Sequence, residues 1–451
     1  MPLYHIPPTS SMRNLAFFPA LLMSNTPSIV RYAALPGVHL KTNIGLHKIR
    51  GFKFDRSHQR NRPCPSIASS PTTMADSNPI TLCYKKVGDL DILMDVWPPP
   101  PTKVQADLSV PAVVFFHGGG LTVGNRQSYF PTWLRRRFTA LGYAFISADY
   151  RLIAPSTGYD ILEDLKDLWA FVTDPALVFE FPVPSHNSDV MLEPREVVTR
   201  VRIKRNDLIV AGTSAGGMCA YLTAVHYQSP APKGLLSIYG MGGDVLTPPY
   251  LLGKDGTAPS FRGREPLDPA DPTLRPFLHP HHRKLKPIAD SPLAYHPATY
   301  VIPGYPANPR MLLVRLYRQM GNFLDYYTGQ HSPSLSAAMQ QQQMDGVTVP
   351  DTTTTSVGVE NLDPLLQKHL ALFPQFHVSA KWPRTVLVHG TEDSLVRIDE
   401  SRKMAHQLRE HGVAVELLEV EGQEHSFDLV PDAEEKFSAY FDRVVAFFQS
   451  S

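Results

Sequence analysis

Short apolar runs rich in β-branched residues recur along most of the chain. They lie at Ile80–Tyr84, Asp91–Trp97, Pro111–Phe116, Tyr143–Ala148, Leu208–Ala211, Gly234–Tyr239, Thr385–Val388 and Val413–Val420. Such runs predict strands, and the near-continuous Ala112-Val113-Val114-Phe115-Phe116 suits a strand covered on both faces. Between them, apolar positions recur at helical spacing over Tyr129–Leu141, Asp160–Val172, Ala215–Tyr227, Ser401–His411 and Ala433–Phe448. Strands alternating with helices predict an α/β fold with a mostly parallel central sheet flanked by helices. The short turn Gly88–Leu90 predicts an antiparallel edge.

Residues 245–380 interrupt this rhythm. They are rich in Pro and Gly through Pro287, carry one helical pattern at Met311–Tyr327, and then a polar tract, Gln340–Gln343, and Thr352–Thr355. A departure of that length inside an α/β core predicts an inserted cap. The core is then 74–244 and 381–451, with a smaller insertion at 176–206.

The first 73 residues differ in charge. They hold Arg13, Arg31, Lys41, Lys48, Arg50, Lys53, Arg56, Arg60 and Arg62 against the single acid Asp55. This basic leader reads as disordered chain, or as sequence upstream of a start at Met74; an organelle transit segment and a secretory signal are the other readings. The rest of the chain has 34 basic and 41 acidic residues, so it lacks the cationic excess that nucleic-acid binding requires. With 43% apolar and 19% charged residues the chain is globular in composition. Cys64, Cys83 and Cys219 have no paired spacing, which excludes a disulfide scaffold and points to a reducing, cytoplasmic setting, with organelle targeting through the leader as the alternative. No apolar run reaches the length of a membrane span.

Two motifs carry chemistry. Gly212-Thr213-Ser214-Ala215-Gly216 fits G-x-S-x-G, placed between a predicted buried strand and a predicted helix. A sharp turn there would project the Ser214 hydroxyl from the sheet edge, and small neighbours are needed to make room. A serine that merely caps a helix is the blander reading of the pattern alone. The second motif, His117-Gly118-Gly119-Gly120, follows the strand Pro111–Phe116. Serial glycines let backbone N–H groups converge on one point, as an oxyanion hole demands. The spacing of a phosphate-binding loop does not fit.

With these motifs the chain resembles the α/β-hydrolase fold, and within it the hormone-sensitive-lipase-like esterases with their H-G-G-G motif. The matching stretches are His117–Gly124, Asp149–Arg151 and Gly212–Gly217, in a resemblance that covers roughly 80–242 and 384–450. Two departures bear on subfamily and substrate. Thr213 stands where that group commonly has an acid, and Leu152-Ile153-Ala154-Pro155 is one residue longer than its usual counterpart. The fold orders its catalytic residues serine, acid, histidine. Asp393, three residues before Val396 and just after a strand, is similar to the family's acid turn, with Glu392 as its rival; His425, before the last helix, takes the place of the base. The resemblance implies that Gly119, Gly120 and Ala215 donate backbone N–H groups to an oxyanion.

These residues imply a serine hydrolase acting by acyl transfer on a carboxylic ester of a small molecule, with no cofactor. His425 would take the Ser214 proton and Asp393 would fix its tautomer. An amidase or arylformamidase-like hydrolase is the enzymatic alternative, because fold does not decide substrate. A non-catalytic ligand-binding module on this scaffold would have lost a catalytic residue, and here all three are present. His117 reads as a structural hydrogen-bonder under its loop, and Cys219 as core. His279, His281 and His282 lack the H-E-x-x-H spacing, so no metal site is expected. The acids of Asp160–Asp167 read as a solvated face or as local ion-pair partners. The stripe Met311, Leu312, Leu316, Met320, Phe323, Leu324 and Tyr327 has two readings: the packed face of a cap helix, or in part a substrate pocket wall of Met320, Phe323, Leu324 and Tyr327.

Overall fold

A computed structural model describes residues 78–100, 107–182, 198–253, 265–345 and 362–450. The leader and a start at Met74 lie outside them, as does Thr352–Thr355. Among the described residues nine strands form one sheet: β1 (Ile80–Val87), β2 (Leu90–Trp97), β3 (Asp107–Phe116), β4 (Ala144–Ala148), β5 (Phe179–Pro182), β6 (Val198–Thr213), β7 (Gly234–Ile238), β8 (Arg384–Gly390) and β9 (Val415–Val420). Their order is β1-β2-β4-β3-β6-β7-β8-β9, with β5 beside the first half of β6. β1 and β2 form the antiparallel edge, β2 meets β4 antiparallel, and β4, β3, β6, β7, β8 and β9 run parallel.

Both faces of the parallel strands are covered, and the alternation of side chains shows it. In β3, Ala112, Val114 and Phe116 enter one apolar cluster, while Val113 and Phe115 enter the other. The first cluster contains helices α2 (Gly158–Val172) and α3 (Ala215–His226). The second contains α1 (Thr132–Ala140) and the last helix, Ser438–Gln449, with the Trp133 and Phe441 rings stacked at 3.8 Å.

Several element boundaries differ from the sequence expectation. β6 is far longer than Leu208–Ala211, because the ends of the segment 176–206 pair with each other as β5 and β6 and extend the sheet. The C-terminal helix is interrupted at Phe437. The helix expected over Met311–Tyr327 is three pieces: a 3₁₀ turn Pro309–Leu312, a helix Leu313–Gln319 and a helix Phe323–Thr328. The break is at Gly321, whose φ of +64° terminates the first helix and whose hydrogen lies against the amide of Gly253. Apolar periodicity runs through that break unchanged, so the stripe alone could not reveal it.

The inserted segment packs onto the same face as α2 and α3, since Leu312, Leu313, Leu316, Phe323, Leu324 and Tyr327 all belong to the first cluster. The Gln340–Gln343 tract lies in the helix Leu335–Met344. There the Gln340 side chain donates to the Leu251 and Gly321 carbonyls at 2.5 and 2.6 Å, and Gln343 donates to that of Leu246 at 3.1 Å. The polar tract thus ties the chain at 246–251 and 321 to this helix. Among the described residues, no helix is long and apolar enough to cross a membrane.

Candidate active site

The residues singled out by sequence lie just beyond the carboxyl ends of parallel strands: His117–Gly120 after β3, Ser214 after β6, Asp393 after β8 and His425 after β9. Ser214 sits between β6 and α3 with φ 52° and ψ −121°, a backbone conformation that non-glycine residues avoid. Its amide donates to the Ile238 carbonyl at 3.0 Å, and its carbonyl accepts from Gly217 and Met241 at 2.9 and 2.8 Å, so the turn is held from both sides. The small neighbours are sterically required. A methyl at Gly212 would meet the Gly216 carbonyl oxygen at 2.0 Å, and one at Gly216 would meet that of Phe116 at 2.1 Å. A methyl at Gly118 would stand 3.2 Å from the Ser214 Cβ, which places the glycine loop directly beside the serine.

That loop has three successive positive φ angles, at Gly119, Gly120 and Leu121. The Gly119 carbonyl accepts from the amides of Thr122 and Val123 and from the Thr122 hydroxyl, which fixes the turn. His117 is fully buried beneath it. Its Nδ1 lies 2.7 Å from the Gly118 carbonyl oxygen and its ring stacks on Tyr150 at 4.4 Å. Burial pushes its pKa down to about 4, so it is a neutral support for the loop.

Asp393 is buried and His425 nearly so, with Nδ1 of His425 2.6 Å from Oδ2 of Asp393. The other carboxylate oxygen accepts from the amides of Leu395 and Val396 at 2.8 and 2.9 Å. Burial alone would raise the Asp393 pKa, but hydrogen bonds from His389 and His425 outweigh it and hold the carboxyl well below its ordinary range. Glu392, the rival from sequence, is exposed. The Tyr239 ring lies 4.6 Å from that of His425, and Tyr239 follows Ile238, whose carbonyl holds Ser214. Tyr239 in turn donates to Asp428 at 2.5 Å, as does the Trp133 indole at 2.9 Å.

Three residues around the site escaped the sequence reading. His389 is fully buried, with Nε2 3.2 Å from Asp393 Oδ2 and 2.8 Å from the Val396 carbonyl oxygen. Both partners are acceptors, so Nε2 carries the proton and Nδ1 accepts from the Ser401 hydroxyl at 2.8 Å. Val314 occupies the space a methyl on Gly120 would enter, at 2.5 Å. Arg310 is buried and donates to the carbonyls of Thr122 and Ile153 at 2.8 and 2.9 Å, while the Thr122 hydroxyl donates to the Arg310 carbonyl at 3.2 Å. Residues 291, 310 and 314 thus lie against the chain at 120–124, where Gly124 and Ser291 also form a bridge. No short motif marks these contacts, which link residues more than 150 positions apart.

Of the positions offered as a pocket wall, Phe323, Leu324 and Tyr327 are fully buried in the first apolar cluster, with the Tyr327 hydroxyl donating to the Leu372 carbonyl at 2.7 Å. Met320 is 37% exposed at the helix break. The burial of Phe323, Leu324 and Tyr327 suits the packed-face reading, and their part in a pocket wall stays a proposal. The Asp160–Asp167 acids are ion-pair partners: Asp164 is buried 2.9 Å from Lys85 and 2.8 Å from Arg151, and Asp160 and Glu163 also pair with Arg151. Cys219 is buried in the core, and burial raises its thiol pKa.

Residues 113–303 match the model of an α/β-hydrolase-fold family, and residues 344–451 that of the prolyl oligopeptidase family. A non-reducing polyketide synthase of Penicillium brasilianum is 26% identical over 397 residues, covering 84% of this chain but 14% of the synthase. A probable carboxylesterase of a Phoma species is 26% identical over 158 residues, 35% of this chain and 45% of that protein. The chain thus spans about one seventh of the polyketide synthases it matches and less than half of the carboxylesterase. Among solved structures, a Thermogutta terrifontis esterase aligns with a TM-score of 0.43 at 18% identity over 82% of this chain and 92% of that one. A Staphylococcus aureus protein aligns with a TM-score of 0.48 at 14% identity over 82% and 98%. The matched models, the parallel sheet and its flanking helices give this chain the α/β-hydrolase fold.

Proposed function

We propose that the chain is a serine hydrolase of the hormone-sensitive-lipase-like kind, acting by acyl transfer on a carboxylic ester of a small molecule. The observation that carries this reading is the 2.6 Å Asp393–His425 pair beyond the ends of β8 and β9, together with a Ser214 held after β6 in a strained turn against Gly118. Asp393 holds the His425 proton on Nδ1 and leaves Nε2 as the base. In the first step Ser214 Oγ bonds to the ester carbonyl carbon while His425 takes its proton, giving a tetrahedral oxyanion. The Gly119, Gly120 and Ala215 amides would bind that charge. Collapse breaks the bond to the alkoxy group, which leaves with the proton from His425. Water, deprotonated by the same histidine, then attacks the acyl-serine and releases the acid.

A second reading is favoured by the similarity to polyketide synthases, which extends over most of this chain. In it the acyl donor is a thioester, and a thiol leaves in place of the alcohol. The test is a panel of p-nitrophenyl esters, an aryl thioester and an anilide on the purified full chain, with Ser214→Ala alongside. Turnover of the oxoesters and fluorophosphonate labelling are expected, and both should vanish in the variant, with losses of ~10³–10⁶ in turnover. A Ser214→Ala protein that still labels and turns over would refute the reading. A marked preference for the thioester would replace the first substrate class with the second.

A further inference from the structure

Three histidines meet in the cap, and they are not the trio adjacent in sequence. His279 and His282 come from the loop and 3₁₀ turn ending at Lys284, and His331 from the turn that follows the helix Phe323–Thr328. Each offers one ring nitrogen, and the three nitrogens lie within 4.8 Å of one another. His281, between the first two, is exposed and outside the group. The aromatic contacts are close: the His279 and His331 rings stack at 4.2 Å, and the Tyr326 ring stands edge-on to His331 at 4.8 Å.

Ring packing does not account for the polar atoms. His282 is buried, and its Nδ1 has no hydrogen-bond partner; Nε2 of His331 is likewise buried and unpartnered. A native core rarely leaves such atoms unsatisfied, and two in one cluster call for a shared ligand.

We propose that His279, His282 and His331 bind one divalent transition-metal ion of the zinc class, which clamps the 278–284 loop to the turn after the helix Phe323–Thr328. An all-imidazole donor set suits zinc, copper and nickel and disfavours calcium and magnesium, which take oxygen. Zinc–nitrogen bonds of ~2.0–2.1 Å in a tetrahedron bring the nitrogens to roughly 3.3 Å apart, so the rings close in slightly on the ion. The fourth position is left for water. Arg283, exposed on the same turn, opposes the ion's charge and weakens affinity. The clamp bears on the proposed active site through the chain next to it. Phe277 lies under the Arg310 guanidinium at 5.4 Å, its carbonyl accepts from Tyr317 at 2.9 Å, and Arg310 holds the glycine loop.

The test uses the full chain, stripped with EDTA, incubated with zinc chloride, desalted and assayed for bound metal. One zinc per chain is expected, with a rise of a few degrees in Tm. Cobalt in its place should give the visible absorption of a tetrahedral site. His331→Ala should lose the metal, and so should His279→Gln, a change at an exposed position that leaves the core intact. His281→Ala should keep it. Absence of stoichiometric zinc in the unaltered protein overturns the proposal, as does zinc retained by His279→Gln and His331→Ala.

Discussion

The choice between Asp393 and Glu392 can be tested through one atom. Asp393 accepts four hydrogen bonds: two from the Leu395 and Val396 amides on Oδ1, and two from His425 and His389 on Oδ2. In Asp393→Asn the amide oxygen can satisfy the Leu395 and Val396 donors, but the NH₂ then faces His425 and His389. It donates to His425 Nδ1, which forces the proton onto Nε2 and removes the base. The same NH₂ meets the Nε2 proton of His389, donor against donor. A wrong tautomer of this kind costs about 10⁴ in turnover, or ~5.5 kcal/mol of barrier. Stability should fall by about 1–3 kcal/mol at pH 7, since charge-assisted bonds are lost while the cost of burying the charge is relieved. The pH dependence has a definite sign. The folded-state pKa lies below the unfolded value of ~3.9. The stabilisation is therefore complete above that value and fades as pH falls from there through the folded pKa. The stability gap between the native protein and Asp393→Asn should be constant from pH 7 to 5 and close below pH 4. Steady-state kinetics on p-nitrophenyl acetate and urea unfolding at each pH measure both. Glu392→Gln, at an exposed position, should stay within about twofold of the native rate. If it loses as much as Asp393→Asn, or if Asp393→Asn turns over normally, the assigned acid is wrong.

Two further outcomes follow from burial. Leu324→Ala removes a fully buried side chain of the cap core and should lower stability by ~2–5 kcal/mol, whereas Met320→Ala, at the exposed break, should change it by less than ~0.5 kcal/mol. Urea unfolding separates them, and a shift in acyl-length preference with no stability loss in Leu324→Ala would restore the pocket reading. Asp164→Ala leaves Lys85 and Arg151 without their shared buried partner and should cost about 3–5 kcal/mol, read as a drop in urea midpoint at an unchanged slope. A near-neutral result would mean that the remaining acids, Asp160, Glu163 and Asp167, replace it.

What could be read from sequence and what could not divide along a physical line. The strands, the glycine loop and the elbow are local: five or six consecutive residues fix the backbone, so Ser214 and Gly118–Gly120 announce themselves, and their strand–turn–helix setting supplies the rest. Asp393 and His425 required order along the chain as well, because each is one carboxylate or imidazole among many, and only its place after a strand marks it. Contacts made between distant segments left no such mark. His389 appears in sequence as the end of a strand, yet its ring turns to the acid four residues on because β8 stops there and Ser401 waits on the next helix. The histidine cluster is the sharpest case. Adjacency in sequence groups His281 with His279 and His282, whereas the turn faces His281 to solvent and brings in His331 from 49 residues beyond His282. The stripe at Met311–Tyr327 is legible only in part: periodicity reports that one face is buried, but not against what, and Gly321 breaks the helix without disturbing it. The same reasoning bears on the cap's role. Val314, against Gly120, and Arg310, bonded to Thr122, lie off the apolar stripe, so the contacts of 245–380 with this chain are the part its hydrophobic pattern does not show.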